Sequence, residues 1–272
     1  MTAQEKLKLN IEKKFHICVG LDSDIKKIPK KLLSEKNPIL AFNKSIIEAT
    51  CENAAAYKIN FAFYEKDGLK GIENLISTRE LIPKNILTIA DAKRGDIGNT
   101  SQMYAESVFD NLNFDSITIN PYMGFDSVEP FLNYSEKLIY ILSLTSNYGS
   151  LDFEKQILSD GEYLYKRVIH KVNEWNTQNN CGLVFGATNL FELEESILSF
   201  NNLPILLPGI GTQGGSLTDV VKLFKKANYS NFLVNISRSL IYCDSSSDYA
   251  SHIKKEINKL NQIIEHIYTN YL

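Results

Sequence analysis

Eight short apolar runs rich in β-branched residues recur along the chain, with helix-like stretches between them. They cover residues 15–22 (FHICVGLD), 54–60 (AAAYKIN), 86–92 (ILTIADA), 115–120 (DSITIN), 138–145 (LIYILSLT), 181–187 (CGLVFGA), 203–209 (LPILLPG) and 231–237 (NFLVNIS). Most lack strict apolar–polar alternation, which is the pattern of parallel strands buried on both faces. The stretches 37–53, 163–176 and 216–227 carry helix-start signals, the last opening with Ser216-x-x-Asp219 at capping-box spacing. Eight strands alternating with helices over 272 residues predict an α/β chain folded as a single-domain (β/α)8 TIM barrel spanning 1–272. A doubly wound open sheet is the alternative topology. No linker, low-complexity tract or short-period repeat divides the chain.

Charge and composition remove several classes of function. The net charge is −3 and the pI about 5.9, without the basic excess of a nucleic-acid binder. Lys254, Lys255 and Lys259 alternate with acids and apolar residues, as on a solvated helix face. No apolar run approaches the eighteen residues of a membrane span, and MTAQEKLKLNIEKKF at the N-terminus has no apolar signal-peptide core. A cytoplasmic protein with no membrane or nucleic-acid partner is expected. Cys18, Cys51, Cys181 and Cys243 are far apart with no C-x-x-C, so neither a zinc site nor a disulfide framework is expected. His16 stands at a strand start and His170, His252 and His266 in helical patterns, which excludes a His-based triad or metal site. Asp22 and Asp91 are candidate Mg²⁺ ligands, but Lys93 already brings positive charge there, so no metal is expected.

In such a barrel, function sits at the C-terminal ends of the strands, and the polar residues of this chain gather there. Asp22 follows the first run, Lys58 and Asn60 close the second, and Asp91 to Asp96 close the third. Thr145-Ser146-Asn147 end the fifth, Gly209 to Gly215 follow the seventh, and Ser237-Arg238 follow the eighth. Asp91 and Lys93, two apart on a strand, share a face with Ala92 opposite. Lys58 on the adjacent strand reaches a depth that can meet Asp91, and Asp96 lies beyond the strand. An alternating Lys58–Asp91–Lys93–Asp96 cluster holds each charge ionised and forms a fixed electrostatic field. The same residues also fit a structural ion-pair network or a solvated loop, and Arg94 reads as a surface or partner contact. Gly209-x-Gly211-x-x-Gly214 formally matches a dinucleotide fingerprint, but it does not open a βαβ unit and no acid follows at about twenty positions. It reads better as a phosphate loop after strand seven, with Arg238 as a bidentate partner, or else as turn glycines beside a surface arginine. Thr145-Ser146-Asn147 can hydrogen-bond a planar polar ligand or cap a helix.

The stretch DAKRGDIGNT resembles the D-x-K-x-x-D-I-x-x-T signature of orotidine 5'-phosphate decarboxylases, in the form of their longer bacterial and protozoal branch. CVGLD, AYKINFAFYE, TINPYMGFDSVEPF, LTSN, LLPGIGTQGG and VNISRSLIY follow in the family's order over nearly the whole chain. The resemblance implies a carboxy-lyase that needs no cofactor and converts orotidine 5'-monophosphate to UMP and CO₂, the last step of de novo pyrimidine synthesis. It also implies a homodimer with shared active sites. By position, Lys93 is the proton donor, and Lys58, Asp91 and Asp96 complete a charged tetrad. Asp96 and Thr100 reach in from the other subunit. Asp22 and Asn60 meet the ribose and its surroundings and Ser146 the pyrimidine, with Thr145 also among the substrate-binding residues. Gln213 bridges base and phosphate, and Gly211 and Arg238 surround the phosphate. Tyr148 departs from the family's frequent proline, which bears on the shape of the loop over the base. Two alternatives remain: a sister sugar-phosphate decarboxylase or aldolase on the same barrel, and a catalytically silent nucleotide-binding barrel.

Overall fold

All eight runs form parallel strands that pair in sequence order, and β8 (Phe232–Ile236) returns to β1 (Ile17–Gly20) to close the barrel. The closing register, with Ile17 beside Val234 and Val19 beside Ile236, rules out the open sheet. The computed structural model describes residues 1–211 and 214–270. The remaining strands are β2 (Ala56–Asn60), β3 (Leu87–Arg94), β4 (Ser116–Ile119), β5 (Leu138–Leu144), β6 (Cys181–Phe185) and β7 (Ile205–Leu207). In chain order the helices are α1 (Ala3–Glu12), α2 (Pro38–Thr50), α3 (Ala62–Glu65), α4 (Gly68–Leu81), α5 (Gly98–Glu106), α6 (Phe125–Leu132), α7 (Leu164–Trp175) and α8 (Leu190–Ser196). They continue with α9 (Leu217–Lys226), α10 (Arg238–Ile241) and α11 (Tyr249–Asn270). Ser216 caps α9 as its spacing predicts, its hydroxyl accepting from the Asp219 N–H.

Most strands are shorter than their apolar runs because the flanking residues turn into loops. β3 is the exception and runs past Ala92 to Arg94. The core has two parts. One lies between the strands and the surrounding helices, with Phe42, Phe114, Phe131, Phe185 and Phe224 fully buried. The other fills the barrel itself, with Cys18, Ala56, Ile89, Tyr140, Leu206 and Leu233. Tyr140 takes the space left by Gly182, where a Cβ would stand 2.8 Å from its ring. The N-terminal segment, legible in the sequence only as amphipathic and charged, closes the bottom of the barrel as α1. Ala3 and Leu7 join the interior cluster, and a capping box between Thr2 and Glu5 starts the helix. Lys6 is buried against Asp115 at 2.6 Å, and the second oxygen of Asp115 accepts from the N–H and hydroxyl of Thr88.

Strand periodicity then places the polar layer. Stepping by two keeps a side chain on the same face, so the inward column runs from Ala56 to Lys58 and Asn60 on β2. It runs from Ile89 to Asp91 on β3, and from Leu233 to Asn235 on β8. Apolar side chains fill the lower barrel, and charged ones occupy the C-terminal end.

His16, at the mouth of the β1–β8 seam, is fully buried and stacks on Phe232 at 4.3 Å and Tyr268 at 5.7 Å. Burial pushes its imidazole down from 6.5 to about 4; the Phe232 carbonyl beside Nδ1 works against this, and Lys14 adds to it. The folded protein keeps His16 neutral while the unfolded chain protonates it near 6.5, so stability falls as pH drops from 6.5 towards 4. Between pH 6.5 and 5 this one group is expected to cost about 1.5 kcal/mol. Urea titrations of wild type and His16→Phe at both pH values check it. A wild-type loss no larger than the variant's would mean that the imidazole titrates normally.

Candidate active site

The strand ends surround a cavity of about 270 Å³. Its charged floor is a chain of alternating sign. Asp22 follows β1, Lys58 stands on β2, and Asp91 and Lys93 stand on β3. Lys58 Nζ lies 2.6 Å from Asp91 Oδ2 and 3.9 Å from Asp22 Oδ1, and Lys93 Nζ lies 2.5 Å from Asp91 Oδ1. Lys58 and Asp91 are buried, 4% and 8% exposed, whereas the Lys93 side chain is half exposed to the cavity. Burial alone would lower the Lys58 ammonium, but Asp91 and Asp22 more than reverse it and hold it above the ordinary lysine range. Burial would likewise raise the Asp91 carboxyl, and Lys58 and Lys93 overcome this to hold it well below the carboxylate range. Asp91 is therefore an anion clamped between two cations, and Lys93 alone of the three reaches into open space.

The opposite wall comes from β7, β8 and their loops. Gly209 and Ile210 follow β7, and Arg238 begins α10 directly after β8; all three line the cavity. Ser237 donates to Asp22 Oδ2 at 2.7 Å, which ties the β8 end to the β1 end. Gly20 permits this approach, since a Cβ there would stand 2.6 Å from that of Ser237. Between floor and wall, Thr145, Ser146 and Asn147 line one side, with Leu142, Val184 and Leu206 as the apolar base. The Thr145 hydroxyl is held by Asn147 Oδ1 at 2.6 Å and by the Glu154 carboxylate, which also accepts the Thr145 N–H. Asn60 closes β2 with its carboxamide oxygen accepting from the Ala62 N–H.

Of the residues singled out in the sequence, Asp22, Lys58, Asn60, Asp91, Lys93, Thr145, Ser146 and Arg238 come together around this one cavity. Asp96, Thr100 and Gly211 do not line it. Asp96 turns back to accept its neighbour Ile97's N–H at 2.8 Å, and Thr100 is exposed on the first turn of α5. Gly211 sits in a tight turn with φ +82°, while Gly209 and Ile210 provide the lining. Gln213 lies outside the described residues. Tyr148 is 87% exposed and starts a short 3₁₀ turn, so its ring leaves the cavity. Arg94 is half-buried: it pairs with Glu65 on α3, and its guanidinium lies 5.7 Å from the ring of Phe61 and 5.3 Å from that of Tyr104. Thr118 and Asn235, which the sequence reading does not single out, also line the cavity, as do Asn147 of the Thr145-Ser146-Asn147 stretch and the strand-end Ser237. The signal for Thr118 was present in the alternation Ser116, Thr118, Asn120. Among the described residues, no group of three or more His, Cys, Asp and Glu side chains stands together to hold a metal ion, and no helix is long and apolar enough to cross a membrane.

A (β/α)8 barrel with a buried acid–lysine chain at β1–β3 and an arginine opposite, at β8, defines a class of barrel with a charged polar-ligand site at its C-terminal face. Residues 16–248 match the family model described as orotidine 5'-phosphate decarboxylase / HUMPS. The chain is 45% identical over 269 residues to the orotidine 5'-phosphate decarboxylase of Porphyromonas gingivalis, covering 97% of both chains. It is 46% identical over 268 residues to that of Phocaeicola vulgatus, covering 97% of this chain and 98% of that one. The solved structure of Leishmania donovani OMP decarboxylase superposes with a TM-score of 0.82 at 36% identity, covering 96% of this chain and 99% of that one. Leishmania donovani UMP synthase superposes with a TM-score of 0.84 over 97% of this chain and 57% of that longer one. The chain belongs to the orotidine 5'-phosphate decarboxylase family.

Proposed function

We propose that this chain decarboxylates orotidine 5'-monophosphate to UMP and CO₂, the last step of de novo pyrimidine synthesis in the cytoplasm. The Asp22–Lys58–Asp91–Lys93 chain beneath the cavity is the observation that carries this reading. The bond from C6 of the pyrimidine to its carboxylate breaks, CO₂ leaves, and the electron pair stays on C6. Lys93 then gives an ammonium proton to C6 and regains one from water. Asp91 keeps the Lys93 ammonium aimed, and Lys58 compensates Asp91 so that the acid does not need a proton of its own. The Lys93 cation also stabilises the charge as it grows, in a site already organised before the reaction. Asp22 and Asn60 bind the ribose, Thr145 and Ser146 the base, and Gln213, Gly211 and Arg238 the phosphate side.

Asp96 and Thr100 act in the site of a second copy, within a homodimer. Two features support this: neither reaches its own cavity, and the same stretch of chain carries the exposed apolar side chains Ile97, Met103 and Tyr104. Tyr122 and Met123, on the loop after β4, are exposed too, and exposed apolar side chains are what an association surface uses. Loss of orotidine 5'-monophosphate absorbance with matching UMP formation, on adding the purified protein, tests the activity. Protein that binds UMP yet leaves the substrate intact would make this a silent barrel.

Arg238→Ala is expected to raise KM about 10- to 100-fold, the worth of a charged hydrogen bond. It should lower kcat as well, because phosphate contacts remote from C6 contribute to transition-state binding. Steady-state kinetics check both; a changed KM with unchanged kcat would restrict Arg238 to ground-state binding.

A further inference from the structure

We propose that Thr118 is a positioning residue for Lys93, holding its backbone and its ammonium in one fixed relation to Asp91. The inference rests on the reading of Lys93 as proton donor and extends it to a side chain on the neighbouring strand.

The β3–β4 ladder breaks at this point. Ala90 pairs with Ile117, and the next pair is Arg94 with Ile119. Between those pairs β3 carries three residues, Asp91, Ala92 and Lys93, and β4 carries only Thr118. Such a bulge leaves backbone groups without ladder partners and re-aims side chains. Lys93 absorbs the excess with φ +47°, a left-handed conformation that disfavours any residue with a Cβ. Pairing resumes just beyond, where the Asn120 N–H donates to the Arg94 carbonyl at 2.7 Å.

Thr118 supplies what the ladder lost. Its hydroxyl accepts the Lys93 N–H at 3.1 Å and donates to Asp91 Oδ1 at 3.0 Å. The same oxygen, Asp91 Oδ1, holds Lys93 Nζ. A closed ring results, from the Lys93 N–H through the hydroxyl to the carboxylate and back to Lys93's own ammonium. Only a group that accepts and donates at once can occupy that corner, which suits a hydroxyl. Thr118 is 1% exposed, so water does not compete for either bond. With the hydroxyl gone, the bulged Lys93 loses its backbone anchor, and Asp91 Oδ1 loses the donor that fixes its orientation.

Thr118→Val keeps the shape and removes the hydroxyl. It is expected to lower kcat about 10- to 100-fold, the scale of a small misplacement of a reacting group, with KM and the UMP dissociation constant within about 3-fold of wild type. Thr118→Ser should recover most of the loss. Should Thr118→Val fail to fold, Thr118→Ala against Thr118→Ser makes the same comparison, since both lack the methyl and only alanine lacks the hydroxyl. The inference is overturned by a folded Thr118→Val with kcat within 2-fold of wild type, by a serine variant as impaired as valine or alanine, or by a loss confined to KM. Wild-type protein and Lys93→Ala run alongside. An inactive wild type would overturn the decarboxylase reading, and an active Lys93→Ala would overturn the proton-donor role. With both controls as expected, the Thr118 series speaks for the positioning role alone.

Discussion

Lys93→Ala is expected to reduce decarboxylation at least about 10⁴-fold while UMP still binds within about 10-fold of wild type. Two contributions disappear together. The proton donor to C6 is lost, an effect of about 10²–10⁴ in general acid catalysis. The cation nearest the developing carbanion is lost as well, and a preorganised group of that kind contributes about 10²–10³ on its own. The fold should tolerate the change, because Asp91 Oδ2 keeps Lys58 at 2.6 Å and Oδ1 keeps the Thr118 hydroxyl. UMP binding should survive because Arg238 and the β7 loop lie on the opposite wall. Turnover is measured on protein made in a host lacking its own decarboxylase, and UMP affinity by calorimetry. Turnover within about 10-fold of wild type would remove Lys93 from the chemistry.

The sequence carried the barrel openly and the site only in part, for physical reasons. Strands buried on both faces leave continuous apolar runs, and all eight can be counted without any contact information. Lys58, Asp91, Asp22 and Arg238 were legible because a barrel exposes the C-terminal ends of its strands and little else there is charged. Asp91 and Lys93 do meet, as their spacing predicts, but by another route. The regular two-residue period assumes an unbroken ladder, whereas β3 is bulged and Lys93 is left-handed. A bulge depends on how two strands register, and one strand's sequence does not encode that. Thr118 therefore read as an ordinary strand residue. Glu154 was missed for a similar reason: it belongs to the excursion between β5 and α7 and reaches Thr145 only because that segment folds back. Asn235 stood as a single polar residue inside an apolar run, and only barrel closure turns it into the cavity.

Mixing two inactive variants, Lys93→Ala and Asp96→Ala, is expected to restore activity from near zero to about one quarter of the wild-type level. If Asp96 serves the partner's site, each site draws Lys93 from one chain and Asp96 from the other. A hybrid dimer then contains one site with both lesions and one with neither. Random exchange makes about half of the dimers hybrids, each with one native site in two, so about a quarter of all sites recover. The geometry behind this is the outward course of the chain after β3. Asp96 accepts the next residue's N–H instead of turning to Lys93, and Ile97, Met103 and Tyr104, which follow it in the chain, are exposed. A carboxylate delivered from outside also makes chemical sense. Asp91 is already engaged by two lysines and Thr118, and a further acid can reach the substrate carboxylate from the open side of the cavity. Native mass spectrometry establishes that hybrids have formed. Hybrids without recovered turnover would return Asp96 to its own chain, and the apolar surface beside it would lose its connection to the chemistry.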